Sequence, residues 1–308
     1  MSKLKKYDFS NSFTSINTYV DQNADSFIPA VVGRMRTFDY VTPVLDIKTS
    51  KVIPMVTTSI DFVNANSCTS FVNGATAGFV GTTLTVAYIK NEESICLPEL
   101  ELYYPKWFSA GSDQETLPLE SAFMEQKLTQ ISKKLDVYFW QGGAGITGLI
   151  ATATASSCIV LATQSFSTST AVSNGVILTF DNMVDQLDSN ILSEDDLTLF
   201  CGTEVFDKYV RSVRNLNLYH YNAEEIKNGV VNLMGKSNVR LVATVGLDGT
   251  NKAFMSKSAW ILLGTDVMPD EEPIKGEYSF YYDKYLMRYK VKLGSALAQP
   301  TYAIVAKA

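Results

Sequence analysis

Residues 51–96 contain two runs of strand-forming residues on either side of a segment rich in glycine and asparagine. The first run covers 52–63 and the second, LTVAYI, covers 84–89. The stretch between them, NANSCTSFVNGATAGFVGT, predicts a flexible polar end, so the region as a whole predicts a long hairpin. A two-stranded hairpin is only marginally stable alone in water. This one therefore needs another surface to lie on, which indicates assembly.

Residues 1–45 predict an extended, mostly unstructured arm. Asn, Ser and Asp are frequent there, and Pro29 and Pro43 each push the preceding residue out of helical space. Ile28, Val31 and Val32 are apolar but form no sustained period. We expect the arm to lie on the rest of the chain or on a neighbouring subunit.

Residues 119–140 predict a long amphipathic helix. Apolar residues recur at alternating steps of four and three, at Met124, Leu128, Ile131, Leu135 and Tyr138. Charged residues fill the other positions: Glu120, Lys127, Lys133, Lys134 and Asp136. Proline at 118 favours the start of a helix, and the glycine pair at 142–143 favours its end.

The rest of the chain predicts a mixed α+β structure. The Ser- and Thr-rich window 151–180 suits short strands and exposed turns, and an αβα order follows it. The predicted elements are a helix capped by Thr179, a buried strand at 197–201, a helix capped by Thr203, and a strand at 239–245 before a turn. Residues 260–305 are rich in strand-forming and aromatic side chains.

Composition removes several classes of function. The 308 residues carry 26 Lys and Arg against 32 Asp and Glu, a net charge of −6, which argues against a protein that grips nucleic acid over its whole surface. A single histidine, His220, excludes chemistry that needs two. No run of apolar residues is long enough to span a bilayer, and no signal peptide is evident.

The motif GAGITG places Gly143, Gly145 and Gly148 in the GxGxxG pattern of dinucleotide sites. Such a site needs the glycines after a strand and at the start of a helix. Here they follow a predicted helix and precede the Ser/Thr-rich window. We therefore interpret them as a helix stop with a flexible connection, and the nucleotide site as the weaker alternative.

Neither His220 nor the cysteines lie in a catalytic motif. No GxSxG or other nucleophile signature accompanies the histidine, which favours a structural or surface role. Cys68, Cys96, Cys158 and Cys201 are too far apart for the paired ligands of a zinc site, so free thiols in a reducing cytoplasm are expected. Cys68 and Cys96 could approach each other at the base of the hairpin, which the sequence does not decide.

Two acidic clusters and one basic segment are the remaining candidate functional sites. The clusters are Glu194, Asp195 and Asp196, then Asp266 with Asp270, Glu271 and Glu272. Paired carboxylates can bind a cation or transfer protons, but solvated loop charge is the favoured interpretation at both places. Lys3, Lys5 and Lys6 are interpreted as a solvated end that could touch nucleic acid through charge alone. We thus expect no catalytic, cofactor-binding or metal-binding residue, no cofactor and no enzymatic activity.

The order of arm, hairpin, rod and mixed domain resembles the major capsid proteins of tailed bacteriophages with the HK97-like fold, and is similar to those of crAss-like and related phages. Segments 47–68 and 82–107 resemble the family's extended E-loop and its exit, and ESAFMEQKLTQISKKLDVYFWQGG resembles its spine helix. Segment 175–213 resembles the helix–strand–helix of the axial (A) domain. AWILLGTDVMPDEE and LGSALAQPTYAIVA resemble the closing strands.

The resemblance implies a division into an N-terminal arm (1–45), an E-loop hairpin (46–97), a peripheral (P) domain with the spine helix (98–178), an A domain (179–254) and C-terminal strands returning to the P domain (255–308). It implies a shell protein that assembles into hexamers and pentamers as an icosahedral head around double-stranded phage DNA. Repeated weak contacts between copies would add through multivalency.

The implied partners are further copies of the chain, with portal, scaffolding and decoration proteins and non-specific contact with packaged DNA, but no membrane. The implied location is the virion, after assembly in the host bacterial cytoplasm. A separate scaffold is expected, because the arm is too short to include one. No lysine lies in the tip at 64–82, and Lys51 and Lys90 lie near the base, so no cross-link through the hairpin is expected. The alternative is an encapsulin-like nanocompartment that holds an enzyme cargo.

Overall fold

The computed structural model describes residues 27–60, 75–96, 119–192, 196–216, 226, 228–266, 273–279, 281–282 and 284–308. The described helices are α1 (27–33), α2 (Leu119–Gln141), α3 (Leu149–Ala155), α4 (Gly175–Asp185), α5 (Ser189–Leu192) and α6 (Thr203–Asn215). The described strands are β1 (Thr42–Val44), β2 (Ser50–Ile60), β3 (Ala75–Thr85), β4 (Ala87–Cys96), β5 (Ile159–Leu161), β6 (Leu197–Gly202), β7 (Val230–Leu233), β8 (Lys236–Thr244), β9 (Lys252–Lys257), β10 (Ile261–Thr265), β11 (Ile274–Ser279), β12 (Lys284–Leu297) and β13 (Ile304–Lys307). The predicted α+β class is confirmed.

One sheet is built around the long strand β12. Strand β4 pairs antiparallel along one edge of β12, and β11 and β10 pair with successive halves of the other edge. Strand β1 extends the sheet by pairing parallel to β10. Helices α1, α2 and α3 pack against this sheet, so one of its faces is buried in an apolar core.

A second sheet has the strand order β5-β13-β9-β6-β8-β7 among the described residues. Its strand β6 is buried at every position. Helices α4 and α6 cover one face, where Phe180, Tyr209 and Leu199 share a core. On the other face Phe200 joins the core of the first sheet, where its ring lies 4.9 Å from that of Trp140. The long helix α2 thus connects the two sheets.

The prediction of an extended arm is wrong for residues 27–40. Residues 27–33 are helical and residues 36–40 form a 3₁₀ turn. The side chains of Phe27, Ile28, Val31, Val32 and Met35 are buried. These residues are alternately one and three positions apart, which is the spacing of one face of a helix. The helix forms although it contains Pro29, which lies in its first turn. Residues 1–26, with Lys3, Lys5 and Lys6, lie outside the described residues.

The hairpin is present, but its second strand is not the predicted one. Strand β2 pairs antiparallel with β3, from Ser50 opposite Thr85 to Ile60 opposite Ala75. The glycines at 78 and 81 therefore lie within a strand and not in the flexible end. The predicted strand at 84–89 spans the boundary between β3 and β4. The sequence prediction placed Gly78 and Gly81 in the flexible end because glycine is rare in strand interiors. In the structure both glycines lie inside β3.

The Ser/Thr-rich window is more helical than predicted. It holds most of α3, the short strand β5 and the first half of α4. Helix α4 begins at Gly175, where the Asn174 side chain accepts from the Gly175 N–H at 2.7 Å, so Thr179 is not its cap. Thr179 instead lies buried in the helix and donates to the carbonyl of Gly175 at 3.2 Å.

Helix α6 also begins differently from the prediction. Gly202 occupies the cap position, and the Thr203 N–H donates to Asp248 Oδ1 at 2.5 Å. A carboxylate from the turn after β8 thus satisfies the helix start, which sequence neighbours alone do not reveal. The predicted strands at 197–201 and 239–245 are present as β6 and β8.

Sheet membership crosses the predicted sequence boundaries. Strand β5 precedes residue 179, and β13 lies close to the C-terminal residue, yet both belong to the second sheet with β6 and β9. The two strands pair in parallel, Ile304 opposite Ile159. The division into named domains stays a prediction.

Candidate assembly surfaces

The hairpin leaves the first sheet through a closely packed root. Only Val86 separates β3 from β4, so one chain segment passes directly from the hairpin into the sheet. The Val86 N–H donates to the Thr49 carbonyl at 3.0 Å, and the Ile47 N–H donates to the Thr265 carbonyl at 3.3 Å. Leu84 and Ile47 are buried there. Backbone bonds on both sides of the hairpin therefore hold its base.

Glycine on β12 permits this close approach. A Cβ atom at Gly294 would lie 2.2 Å from the Thr85 carbonyl oxygen, closer than any side chain tolerates. At Gly264 of β10 an added Cβ would touch Leu84 and Val86 at 3.0 Å. The last residues of β3 thus lie directly over β10 and β12, and a side chain at Gly294 would displace the hairpin from the sheet.

A buried ion pair lies beside the root. Asp266, fully buried, accepts from Lys292 Nζ at 2.8 Å and lies 3.3 Å from Lys48 Nζ. The interpretation of Asp266 as solvated loop charge is therefore wrong. Asp270, Glu271 and Glu272 lie outside the described residues. Because a buried carboxylate is costly without a cation, the pair ties the segment before β2 to the sheet.

Beyond the root the hairpin is a narrow two-stranded blade. Each strand has 11 residues, which at ~3.4 Å per residue gives a length of roughly 37 Å. Among the described residues β2 and β3 pair only with each other. Val52 is 62% exposed, and Lys51 is exposed as well. Among the described side chains of the blade, Val52 is therefore exposed, whereas Ile53 and Met55 pack against the core at the root.

Helix α2 is attached to the second sheet through a buried carboxylate. Asp136 Oδ1 accepts a short hydrogen bond from the Thr37 hydroxyl, and Oδ2 accepts from the Thr244 hydroxyl at 2.6 Å and the Gly246 N–H at 3.1 Å. Trp140 Nε1 donates to Thr37 Oγ1 at 2.8 Å. Burial raises the pKa of Asp136, and these hydrogen bonds oppose that rise.

The sequence analysis assigned Asp136 to the charged, exposed side of the helix, and this assignment is wrong. Asp136 is 2% exposed. The neighbouring sequence did indicate that Asp136 is buried. Phe139 and Trp140, three and four residues later, lie on the same side of the helix. The network joins three distant segments, the turn after α1, helix α2 and the end of β8. Its buried hydrogen bonds hold helix α2 against the other two segments.

The GAGITG segment forms a compact turn and not a flexible connection. Gly142 and Gly143 have φ of 85° and 139°, and Gly143 forms a β-bridge with Ile146. A Cβ at Gly148 would lie 2.3 Å from the Gly142 nitrogen, so the turn closes on itself. It follows helix α2 and precedes the seven-residue helix α3. This is not the strand–turn–helix arrangement that a dinucleotide site requires.

The remaining candidates are His220, the cysteines and the first acidic cluster. His220, Cys68, Glu194 and Asp195 lie outside the described residues, so the approach of Cys68 to Cys96 stays open. Cys96, Cys158 and Cys201 are free thiols, and burial raises the pKa of Cys201 well above its usual range. Within the described ranges no three His, Cys, Asp or Glu side chains are grouped so that they could hold a metal ion.

No helix in the described part of the chain has the length and apolarity to cross a membrane.

Comparison with known proteins identifies the fold. No protein-family model matches the sequence, and no curated protein matches it. Solved structures do match. A chain of the capsid of an empty GTA particle has a TM-score of 0.60 at 11% identity, covering 89% of both chains. A chain of the satellite phage P4 procapsid has a TM-score of 0.63 at 10% identity, covering 92% of this chain and 89% of that one.

A virus-like particle from Pyrococcus furiosus also matches, with a TM-score of 0.53 at 10% identity, covering 93% of this chain and 98% of that one. At such identities the likeness concerns backbone architecture and not individual side chains. It extends over almost the whole chain in each case. The protein therefore has the fold of the subunits that build the capsids of tailed phages and related particles.

Proposed function

We propose that this chain is the major capsid protein of a tailed bacteriophage, a non-enzymatic subunit that assembles through hexamers and pentamers into an icosahedral head around double-stranded DNA. The observation that carries the proposal is the end-to-end match to capsid subunits, in a chain whose hairpin extends beyond its own core. A fold alone does not establish function. The hairpin, whose strands pair only with each other among the described residues, adds a physical reason for assembly.

The parts of the fold fit the roles in such a shell. Hairpin β2–β3 within 46–97 is proposed as the E-loop, and α2 as the spine helix of a P domain formed from 98–178 and the strands of 255–308. Residues 179–254 are proposed as the A domain, and residues 1–45 as the N-terminal arm. Portal, scaffolding and decoration proteins and packaged DNA are the proposed partners, and the virion the proposed location.

The test is assembly of the full chain, expressed alone and with a scaffolding protein. Closed icosahedral particles in velocity sedimentation and cryo-electron microscopy are expected. A variant in which a short Gly-Ser turn replaces residues 54–81, cut at the paired positions Pro54 and Gly81, should fold as a monomer and form no particles. Monomers under all conditions for the unmodified chain would contradict the proposal.

A second candidate is an encapsulin-like compartment. The match to the virus-like particle from Pyrococcus furiosus, which covers 98% of that chain, favours it. The contents of particles from the natural source separate the two functions. Packaged double-stranded DNA, with terminase and portal genes beside the gene, supports the phage head. A folded enzyme cargo without DNA supports the compartment.

A further inference from the structure

The two faces of the first sheet differ sharply in chemistry. Along β12, Tyr285, Met287, Tyr289 and Val291 are buried on the side of helix α2. The alternate side chains point to the opposite face, since successive residues of a strand alternate. That face carries Leu286 and Arg288, which are exposed, Lys290, which is partly exposed, and Lys292, whose side chain is largely buried against Asp266.

The neighbouring strands continue the same chemistry. On β4, Tyr88, Lys90 and Glu92 are exposed and lie opposite Lys292, Lys290 and Arg288. On β11, Lys275 lies opposite Arg288, and Glu277 opposite Leu286. We name this surface the basic face. Its described cations are Lys90, Lys275, Lys284, Arg288, Lys290 and Lys292.

Cations on the basic face outnumber the acidic groups. Six basic side chains accompany Glu92, Glu277 and the buried Asp266. Glu92 lies 3.0 Å from Lys90 Nζ and 3.6 Å from Arg288 Nε, and the Lys90 hydrogen bond lowers the pKa of Glu92. Lys90 lies directly opposite Lys290, and Lys275 opposite Arg288. Like charges opposite each other destabilise a sheet.

The like-charge pairs of the basic face therefore destabilise the isolated subunit. Because the net charge of the whole chain is −6, the rest of the chain carries an excess of acidic groups. Two such subunits repel each other unless surfaces of opposite charge meet. Tyr88, with Lys290 Nζ 5.7 Å from its ring, and Leu286, which is 40% exposed, add aromatic and apolar area among the charges. Tyr and Arg are enriched at protein interfaces.

We propose that the basic face binds carboxylates of a neighbouring copy of this chain and so selects the contact between subunits. The inference rests on the proposed shell function and identifies one surface that the shell uses. Glu92 in the centre of the face and Glu277 at its side favour a protein partner over a phosphate backbone, which they would repel.

Charge reversal tests the proposal. The double variant Lys275→Glu with Lys290→Glu should retain the secondary structure of the monomer and unfold at the same or a higher midpoint, because each change replaces a like-charge pair across two strands by an opposite-charge pair. Its yield of closed particles at 0.1 M salt should fall at least tenfold. The matched control, Arg240→Glu on an exposed position of β8 combined with Lys236→Glu, changes the net charge equally and should assemble. Equal loss in both pairs, or no loss in either, overturns the proposal.

Zero-length carbodiimide cross-linking identifies the partner. Subunits mixed from isotopically light and heavy preparations and assembled should give light–heavy cross-links between Lys275, Lys284 or Lys290 and aspartate or glutamate. Cross-links within single chains only would overturn the proposal. So would tight binding of duplex DNA by the unassembled chain that the double variant loses. If the unmodified chain forms no particles at all, the shell function itself fails; if particles form and ignore the charge reversal, only this inference fails.

Discussion

The two sheets of this protein differ in how much of their two faces is buried within the subunit. The second sheet is covered on both faces, and its strand β6 reads as an almost continuous apolar run, LTLFCG, buried at all positions. In the first sheet the hairpin root covers the second face at β10 and at the end of β12, whereas along residues 285–292 of β12 buried residues alternate with exposed or partly exposed ones. Burial on both faces produces stability, whereas an open face and a projecting hairpin produce a surface for contact between subunits.

The sharpest test of this contrast compares one apolar side chain from each sheet. Phe200→Ala in β6 should lower the free energy of unfolding by about 3–5 kcal/mol, because it leaves a cavity beside Trp140. Leu286→Ala on the open face of β12 should change it by less than about 0.5 kcal/mol. Urea unfolding of the unassembled chain measures both values. Similar losses would show that the open face is covered within the subunit.

The second comparison concerns the two lysines of the buried pair. Lys292→Met should lower the free energy of unfolding by about 3–5 kcal/mol. The buried Asp266 carboxylate then keeps only Lys48 as its cation, and the side chain of Lys48 is 47% exposed. Lys48→Met removes the more exposed partner and should cost less than about 1 kcal/mol. Thermal unfolding checks both. The reverse order would mean that the segment before the hairpin, and not the sheet, neutralises Asp266.

The third comparison concerns two glycines. Gly148→Ala places a Cβ atom against the backbone of Gly142 and Gln141 and should cost about 1–3 kcal/mol. Gly33→Ala meets no atom within 4 Å and should leave stability within about 0.5 kcal/mol. Unfolding by guanidinium measures the difference. A tolerated Gly148→Ala would indicate that the turn after α2 is loose after all.

The smallest expected effect is a pH dependence from Asp136. Burial raises its pKa in the folded state above the usual value of 3.8. A raised carboxyl pKa gives stability that is complete below the unfolded pKa and is lost as the pH rises through the folded pKa. The difference in unfolding free energy between the unmodified protein and Asp136→Asn should therefore shift against the unmodified protein as the pH rises above about 4.

An unfolding free energy of the Asp136→Asn protein that follows the unmodified protein in parallel from pH 3 to 8 would contradict a pKa of Asp136 that burial raises.

Local pattern was sufficient where one face of an element is apolar and its period is regular. The helix at 119–140, the buried strand at 197–201 and the α+β class all follow from such patterns. It was insufficient where the partner of a residue is far away in sequence. Asp136 is buried against Thr37 and Thr244, and Asp248 supplies the start of α6; neither pairing has a signature in its neighbouring residues.

The sequence by itself determined the long amphipathic helix, the buried strand at 197–201 and the α+β class, since periodicity is a local property. Only the tertiary structure decided which residues are buried at the hairpin root, that the glycine-rich stretch at 75–81 is a strand, and that six cations share one face of a sheet. Those outcomes depend on strand register and, at the hairpin root and between β4 and β12, on residues more than 100 positions apart, because the packing of the whole chain selects which segments pair.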